Sequence, residues 1–228
     1  MQPDITPERR GLKMKEHPIH FRAPMVRAIL AGHKTQERRA VKPQPMWVAE
    51  PYVPFRTSDA DPKGIIACPY GQRGDRLWVK ETTLKVEDHG YIGPVYAESD
   101  DGRACLSGGL APSDDDCTDV EPWEIKRRPS IFMPRSMARI LLEVVSVRVE
   151  RLNDISESDC WAEGIEEVMH QFDNESQARM AKRLGACLED AKPLYAQLWE
   201  SINGANSWDK NPWVWVVEFK RIKSPKGE

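Results

Sequence analysis

Hydrophobic positions near the start of the chain predict a short buried helix that ends abruptly. Apolar residues recur at helical spacing from Met25 to Leu30, and Pro24 suits the first helical position. Gly32 supplies the stop, because glycine readily adopts the left-handed conformation that ends a helix. The polar residues 33–39 are therefore expected to lie just outside this helix.

Alternating and valine-rich stretches predict strands farther along the chain. Strands are predicted within 17–21, 74–81, 94–98, 139–152 and 213–222. A change of phase in the alternation near Glu143 indicates a β-bulge. Helices are predicted from Ser156 to about Ile165, over 175–188 and over 193–203, with Gly204 ending the last. Because strands alternate with helices and no repeat is visible, we expect an α+β fold built on a small β-barrel with flanking helices.

Length and composition indicate one globular domain. The 228 residues are 40% hydrophobic and 30% charged, an ordinary balance for a folded chain. We expect a flexible leader over residues 1–15, a single domain over 16–223 and a short tail over 224–228. Prolines stiffen residues 42–75, which are predicted to hold little regular structure. Residues 86–128 are predicted to be a variable insertion around the short strand at 94–98.

The charge pattern excludes a uniformly basic nucleic-acid-binding protein, since the net charge is −3. The distribution is uneven. Residues 1–45 hold ten Lys or Arg against four Asp or Glu, whereas residues 98–121 hold eight Asp or Glu and one basic residue, Arg103. A basic face beside an acidic insertion is one interpretation, and two unrelated surface loops are the other.

Cysteine and histidine usage indicates a cytoplasmic protein without a bound metal. The five cysteines are odd in number and form no C-x-x-C pair, so neither a disulfide framework nor a zinc site is expected. The histidines have no ligand spacing with nearby carboxylates. There is no signal-like apolar segment and no apolar run near 18 residues, so we expect neither secretion nor a membrane span. Nothing in the sequence indicates an oligomeric state.

The polar stretch after the first helix has a definite spacing. Gly32, Lys34, Glu37 and Arg39 follow the pattern G-x-K-x-x-E-x-R within "LAGHKTQERRA". This pattern is the signature of the ASCH family, a branch of the PUA-like superfamily, and the chain resembles phage and prophage ASCH proteins. Further similar blocks follow in the same order as in those proteins, at 68–82 ("CPYGQRGDRLWVKET"), 128–165 and 195–222.

The resemblance implies a PUA-like β-barrel with a cleft between barrel and helices, lined by Lys34, Glu37, Arg39 and Glu163. The family is associated with binding of RNA or nucleotides, and some members hydrolyse nucleosides or RNA. RNA or a modified nucleoside is therefore the implied partner.

Lys34 is the first candidate for chemistry. It lies beside Arg38 and Arg39, and neighbouring cations together with partial burial lower the pKa of a lysine, which favours a nucleophilic or general-base amine. Glu37 would hold Lys34 or act on protons itself. Spacing alone leaves open an exposed, internally paired cluster of little energetic weight.

Glu163, in "DCWAEGI", is the second candidate. A bacterial ASCH amidohydrolase that removes the acetyl group of N4-acetylcytidine uses a lysine, a threonine and a glutamate. By motif position its lysine corresponds to Lys34 and its glutamate to Glu163, but its threonine position holds Glu37. Thr35 is near but at the wrong offset. The alternative for Glu163 is a solvent-facing helix carboxylate.

Other polar residues are candidates for binding substrate. Arg135 and Lys80 would suit a phosphate in the same cleft, and Trp208 would stack on a base. Ordinary surface charges and core tryptophans are the alternatives. The complete predicted substrate-binding set is Thr35, Arg38, Arg39, Lys80, Arg135 and Trp208.

The leading hypothesis is a protein that binds and processes RNA or modified nucleosides, and metal-independent hydrolysis of N4-acylated cytidine is one form that this activity would take. Lys34 would be nucleophile or base activator, Glu163 would shuttle the proton, and Arg39 would orient the polar group or stabilise the oxyanion. No cofactor is expected. The alternatives are a non-catalytic RNA-binding module, a phage structural role, and a ribonuclease in which Glu37 and Glu163 hold a divalent cation.

Overall fold

The computed structural model describes residues 14–45, 47–49, 53–55, 65–86, 95–108 and 125–222. The helices and strands in these ranges are, in chain order, β1 (Glu16–His20), α1 (Ala23–Ala31), β2 (Gln36–Ala40), β3 (Trp47–Ala49), β4 (Val53–Phe55), β5 (Arg76–Lys80), β6 (Thr83–Val86), β7 (Val95–Tyr96), α2 (Asp100–Gly108), β8 (Ile125–Arg128), β9 (Leu141–Arg151), α3 (Glu157–Ala162), α4 (Asn174–Leu184), α5 (Ala191–Asn203) and β10 (Trp213–Ile222). Short 3-10 turns connect several of them. The predicted α+β class is confirmed.

The main sheet has five strands in the order β1-β5-β9-β10-β2. β1 and β5 run parallel, and the other neighbours are antiparallel. Within the described residues these pairings form an open sheet with β1 and β2 at its edges, and the expected closed barrel is not seen.

The long strand β9 contains the bulge that the sequence indicates near Glu143. Ser146 pairs with Glu218, but Val144 pairs with the next residue of β10, Phe219, so Val145 is left over. The extra residue bends the strand and increases its local twist. The bulge lies two residues beyond the predicted position.

The strand β10 is the structural centre of the sheet, with β9 on one side and β2 on the other. Both of its faces are buried, since Val214 and Val216 point one way and Trp215 and Val217 the other, and all four lie in the main core. β2 carries the polar sequence QERRA, and its pairing to β10 fixes where those side chains lie.

Two helices end earlier than predicted, each at a glycine. α3 stops at Ala162, and Gly164 has a φ of 79°, so Ile165 belongs to a separate turn. α4 stops at Leu184, because Gly185 adopts a φ of 64° and caps the helix. The helix predicted over 193–203 is confirmed as α5, with two further residues at its start.

Two stretches contain more regular structure than predicted. β3 and β4 form a two-stranded sheet within the proline-rich 42–75. The expected insertion at 86–128 contributes β7, α2 and β8, and β7 and β8 flank β6 in a three-stranded sheet. This smaller sheet has its own apolar cluster, composed of Leu84, Val95, Ala97 and Cys105.

Several predicted features lie outside the described residues. They are most of the leader, the tail and the acidic run at 114–116. Over the ranges that are described, no helix combines the length and the apolar character needed to cross a membrane.

Candidate functional site

A cavity of about 370 Å³ opens beside the main sheet. Its wall combines charged groups from the segment after α1 with the side of α5, and it also takes residues from the end of β1 and from the turn after α3. The lining residues are His20, Phe21, Arg22, Pro24, Met25, Lys34, Glu37, Arg38, Arg39, Ala40, Ser130, Glu163, Val168, Gln171, Tyr195, Leu198, Trp199, Ser201, Ile202 and Asn203. The volume lies in the range of about 300–1,000 Å³ that is typical of small-molecule sites.

The end of α1 points Lys34 into the protein. Gly32 adopts a φ of 84°, and the Lys34 backbone N–H donates to the Ala28 carbonyl at 3.1 Å, which closes the helix end. The next residue is hydrogen-bonded to the end of α3, since the Thr35 N–H donates to the Ala162 carbonyl at 2.8 Å. The chain therefore passes close to the end of α3, and Lys34 is buried between the two helices.

The Lys34 ammonium has a bonding partner for each of its three protons. Nζ lies 2.8 Å from the Glu163 carbonyl oxygen, 2.8 Å from Glu163 Oε2 and 2.8 Å from Glu37 Oε2. Burial alone would lower the pKa of Lys34, but the carboxylates of Glu163 and Glu37 outweigh it and hold that pKa above its ordinary value. The predicted lowering is therefore wrong, because two carboxylates surround the amine.

Gly164 makes this close approach possible. Its φ of 79° favours glycine, and a Cβ built there would lie 2.8 Å from Ala28 Cβ and 3.0 Å from Lys34 Cβ. The backbone of residues 163–164 can thus lie directly against Lys34 and offer it a carbonyl. Glycine is needed here both for its conformation and for the missing side chain.

Glu37 is paired with cations on both oxygens. Arg39 Nε donates to Oε1, and Lys34 bonds to Oε2. Burial would raise the pKa of Glu37, but Arg39 and Lys34 lower it below its ordinary value. Arg39 is half-exposed and also donates from Nη2 to the His20 carbonyl at 2.8 Å, so it forms the outer edge of the cluster.

Arg38 is itself fully buried and lies at the centre of a second set of contacts. Nε donates to Glu150 at 2.9 Å, Nη2 donates to Asp159 at 2.9 Å, and Nη1 donates to Gln36 at 3.0 Å and to Glu163 Oε1 at 2.9 Å. The prediction of Arg38 as a substrate-binding residue is not supported by this geometry. Every nitrogen of its guanidinium is occupied, and its role in the site is to orient Glu163.

The two carboxyl groups of the cavity are thereby differentiated. Burial is the largest effect on Glu163 and raises its pKa, with Glu37 acting in the same direction against the opposing Lys34 and Arg38. The pKa of Glu37 is lowered. Two carboxyl groups whose pKa values are pushed apart are the usual arrangement for one proton-transferring group and one that stays ionised.

Four of the predicted substrate-binding residues lie outside the cavity lining. Thr35 is exposed, and the hydrogen bonds that it makes are those of its backbone. Lys80 donates to the Ile131 carbonyl at 2.6 Å and lies 5.5 Å from the Trp78 ring. Arg135 is held by both oxygens of Glu16.

Trp208 is the fourth of these residues, and its predicted stacking on a base is wrong for this conformation. Only 1% of its surface is exposed, so no base can reach it. It packs instead against Tyr195, with ring centroids 6.2 Å apart and planes at 76°. The edge-to-face contact fixes a residue that does line the cavity.

The sequence did not single out Tyr195 or His20 as lining residues. Tyr195 lies at a core-type position of α5, and nothing in its local pattern separates it from other buried aromatic residues. His20 ends β1 at the mouth of the cavity, where partial burial, Lys80 and Arg39 lower its pKa and favour the neutral imidazole. The sequence indicates only that His20, like the other histidines, lacks the spacing of a metal ligand.

The described residues contain no group of three or more His, Cys, Asp or Glu side chains placed to hold a metal ion. In the ribonuclease alternative a divalent cation would lie between Glu37 and Glu163. The Lys34 ammonium already occupies that position, at 2.8 Å from each carboxylate.

Comparisons with known proteins assign no family to the chain. No family model matches it, and no curated protein matches it. It is similar to a crystal structure of protein EF3133 from Enterococcus faecalis, which is described with the family model DUF984. The similarity covers 95% of this chain and 86% of that one, at 8% identity and a TM-score of 0.35. A similarity this distant assigns neither a fold family nor a function.

Proposed function

We propose that this cavity hydrolyses the amide bond of an N4-acylated cytidine or a closely related acylated nucleoside, without a metal ion. The observation that carries the proposal is the buried Lys34 ammonium between Glu37 and Glu163, at the wall of a cavity of about 370 Å³. The proposal includes a cytoplasmic protein of PUA-like, ASCH-type fold, on the strength of the G-x-K-x-x-E-x-R spacing.

Glu163 is the general base in this proposal. Its carboxylate takes a proton from a water molecule, and the water oxygen forms a bond to the acyl carbon as the carbonyl electron pair moves to oxygen. When the tetrahedral intermediate collapses, the bond from carbon to N4 breaks and Glu163 returns the proton to the leaving amine. The products are a carboxylic acid and the free cytosine amine.

Lys34 acts as a cation in this scheme rather than as a nucleophile. A nucleophilic amine must lose a proton, but each Lys34 proton is bonded and the neighbouring carboxylates raise the pKa. Its charge stabilises the ionised Glu163 and the negative charge that develops nearby. Arg39, half-exposed at the edge of the cavity, would orient the polar group of the substrate.

A panel of N4-acylated cytidines and labelled single-stranded RNA tests this proposal, with the wild type and Lys34→Ala each assayed with and without EDTA. We expect the wild type to deacylate an acylcytidine equally well in EDTA and Lys34→Ala to be inactive. Cleavage of RNA that EDTA abolishes would support the ribonuclease alternative instead. If neither substrate reacts or binds, the hydrolase proposal is wrong.

A non-catalytic RNA-binding module is a second candidate, and one observation favours it. Ile131 and Phe132 are 60% and 68% exposed and directly follow Ser130, which lines the cavity. An exposed aromatic ring is a suitable stacking platform for an unpaired base. If Phe132→Ala weakens RNA binding while no acylcytidine is turned over by the wild type, this candidate replaces the hydrolase.

A further inference from the structure

Tyr195 presents an unpaired hydroxyl to the cavity. The residue is only 3% exposed, yet it is part of the cavity wall. None of the hydrogen bonds among the described residues involves this hydroxyl. The oxygen atom of this hydroxyl is not completely enclosed by protein atoms, and we infer that it is accessible from the cavity.

An unpaired hydroxyl in such a position requires an explanation. Buried tyrosine hydroxyls usually find a hydrogen-bond partner, because an unsatisfied polar group is costly. Tyr195 and Glu163 line the same cavity, so the hydroxyl and the proposed general base face the same space. Glu163 and Arg38 also act on Tyr195 electrostatically. The missing partner is therefore expected to be an acceptor atom on the ligand.

Packing contacts on its ring and on its helix define the position of Tyr195. Its ring packs edge-on against the buried Trp208. The first turn of α5 is joined to α3, since the Ala191 N–H donates to Glu157 Oε2 at 2.6 Å. Glu163 is the residue that caps the C-terminal end of α3. The hydroxyl of Tyr195 and the carboxylate of Glu163 thus belong to two helices that are held together.

We propose that Tyr195 is a catalytic residue whose hydroxyl donates a hydrogen bond to the acyl oxygen of the substrate as negative charge develops there. This inference rests on the proposed hydrolase function. No proton is transferred in the contact: the carbonyl electron pair moves to oxygen, and the O–H bond of Tyr195 stays intact. The chain lacks the amidohydrolase threonine, since that position holds Glu37, and Tyr195 supplies a hydroxyl from another element.

The environment of Tyr195 suits a donor rather than a base. Burial and the negative charge of Glu163 raise its pKa well above the ordinary value for tyrosine, so the phenol keeps its proton through neutral and alkaline pH. A preorganised neutral donor near a developing oxyanion contributes through charge stabilisation, as oxyanion-hole donors do.

Tyr195→Phe tests the inference, because it removes the hydroxyl and keeps the ring on Trp208. The matched control is Tyr96→Phe, which removes a hydroxyl that donates to the Met137 carbonyl at 2.7 Å in the smaller sheet. With N4-acetylcytidine as substrate we expect kcat to fall by about 10²–10³-fold in Tyr195→Phe with little change in KM. Tyr96→Phe should keep the kcat of the wild type.

Thermal unfolding supplies a second measurement that needs no activity. Since the Tyr195 hydroxyl has no hydrogen-bond partner among the described residues, its removal should leave Tm unchanged or raise it. A lower Tm in Tyr195→Phe would show that the hydroxyl serves the fold, and that result overturns the inference.

The kinetic outcomes separate the two proposals. A wild type that turns over no acylated nucleoside overturns the hydrolase function, and the inference with it. An active wild type with an equally active Tyr195→Phe overturns the inference alone. A variant with raised KM and unchanged kcat also overturns it, because the hydroxyl would then bind the ground state and the transition state equally.

Discussion

The Lys34 ammonium and the Glu163 carboxylate lie 2.8 Å apart although 129 residues separate them along the chain. The same ammonium also donates to the backbone carbonyl of Glu163, at 2.8 Å. One residue thus engages Lys34 through its side chain and its main chain together. The pair joins the end of α1 to the end of α3, so the candidate chemistry and the packing of the two helices depend on the same contact.

Lys34→Met should therefore remove both stability and activity. The variant leaves Glu37 and Glu163 buried without the cation between them, and breaking a buried ion pair in this way costs about 3–5 kcal/mol. Urea-induced unfolding gives the change in free energy of unfolding, and turnover of N4-acetylcytidine gives the change in activity. The matched control is Lys220→Met, since Lys220 is exposed and pairs with Glu143 at 3.2 Å on the surface of β10.

The control variant should lose less than about 1 kcal/mol, as is usual for an exposed ion pair. Equal stability losses in Lys34→Met and Lys220→Met would contradict the buried arrangement of Lys34. An active Lys34→Met would contradict the proposed mechanism, whatever its stability.

Gly164→Ala should cost more than Gly185→Ala, although both glycines have a positive φ. Gly185 has a φ of 64° and open space at its Cβ position, so alanine there costs only the left-handed conformation, about 1–2 kcal/mol. At Gly164 the added methyl also meets Ala28 Cβ at 2.8 Å and Lys34 Cβ at 3.0 Å. We expect about 1–3 kcal/mol of further loss from this overlap.

Chemical unfolding of the two variants side by side measures the difference. Activity provides an independent check, because displacement of the 163–164 backbone moves the carbonyl to which Lys34 donates. Equal losses of stability with full activity in Gly164→Ala would show that the close approach is unimportant.

Local features of this chain are readable from its sequence, and contacts between distant segments are not. The left-handed Gly32 and the alternation in β9 and β10 depend on neighbouring residues, and the sequence predicts each of them. The end of α4 is also local, but Gly185 lies within a stretch whose pattern continues through it. Nothing in the local pattern of α5 indicates that Tyr195 faces a cavity.

The pKa of Lys34 shows the same limit. The sequence reveals the two arginines that follow it and so predicts a lowered pKa. The dominant neighbours are Glu37 and Glu163, and the second of these is brought in by the packing of α3 against the end of α1. Likewise the sequence near Arg38 predicts a cation that is free to bind substrate. Its partner Glu150 lies 112 residues away along the chain, so this contact cannot be predicted from neighbouring residues.

Arg38→Lys should be destabilising although the charge is unchanged. The guanidinium reaches carboxylates in three directions, and a lysine ammonium cannot reproduce that fork. We expect a loss of about 1–3 kcal/mol in the free energy of unfolding, because one ammonium cannot replace the hydrogen bonds to Glu150, Asp159 and Glu163 together. Arg179→Lys is the control, since Arg179 is exposed and pairs with Glu175 one helical turn away.

The control should change stability by less than about 0.5 kcal/mol. Denaturant-induced unfolding of Arg38→Lys and Arg179→Lys measures the two changes in the free energy of unfolding. If Arg38→Lys were as stable as the control, the Arg38 contacts would not be what orients Glu163.

The pH dependence of kcat/KM distinguishes the two possible roles of Lys34. In the proposed mechanism Glu163 must be ionised to accept a proton, and burial raises its pKa. Activity should therefore rise with pH through a midpoint above the ordinary pKa of a glutamate. Lys34 must remain protonated, and its raised pKa keeps the proton on the amine. The rate should therefore stay level through neutral and moderately alkaline pH. A nucleophilic Lys34 would give a different profile, because the reactive amine forms only as pH rises, and the rate would keep increasing into the alkaline range.

A steady-state profile of kcat/KM from pH 4 to pH 10 with N4-acetylcytidine measures this difference, and Glu163→Gln should abolish the rate across the whole range. A profile that climbs throughout, or an active Glu163→Gln, would return the nucleophile role to Lys34 and remove Glu163 as the base.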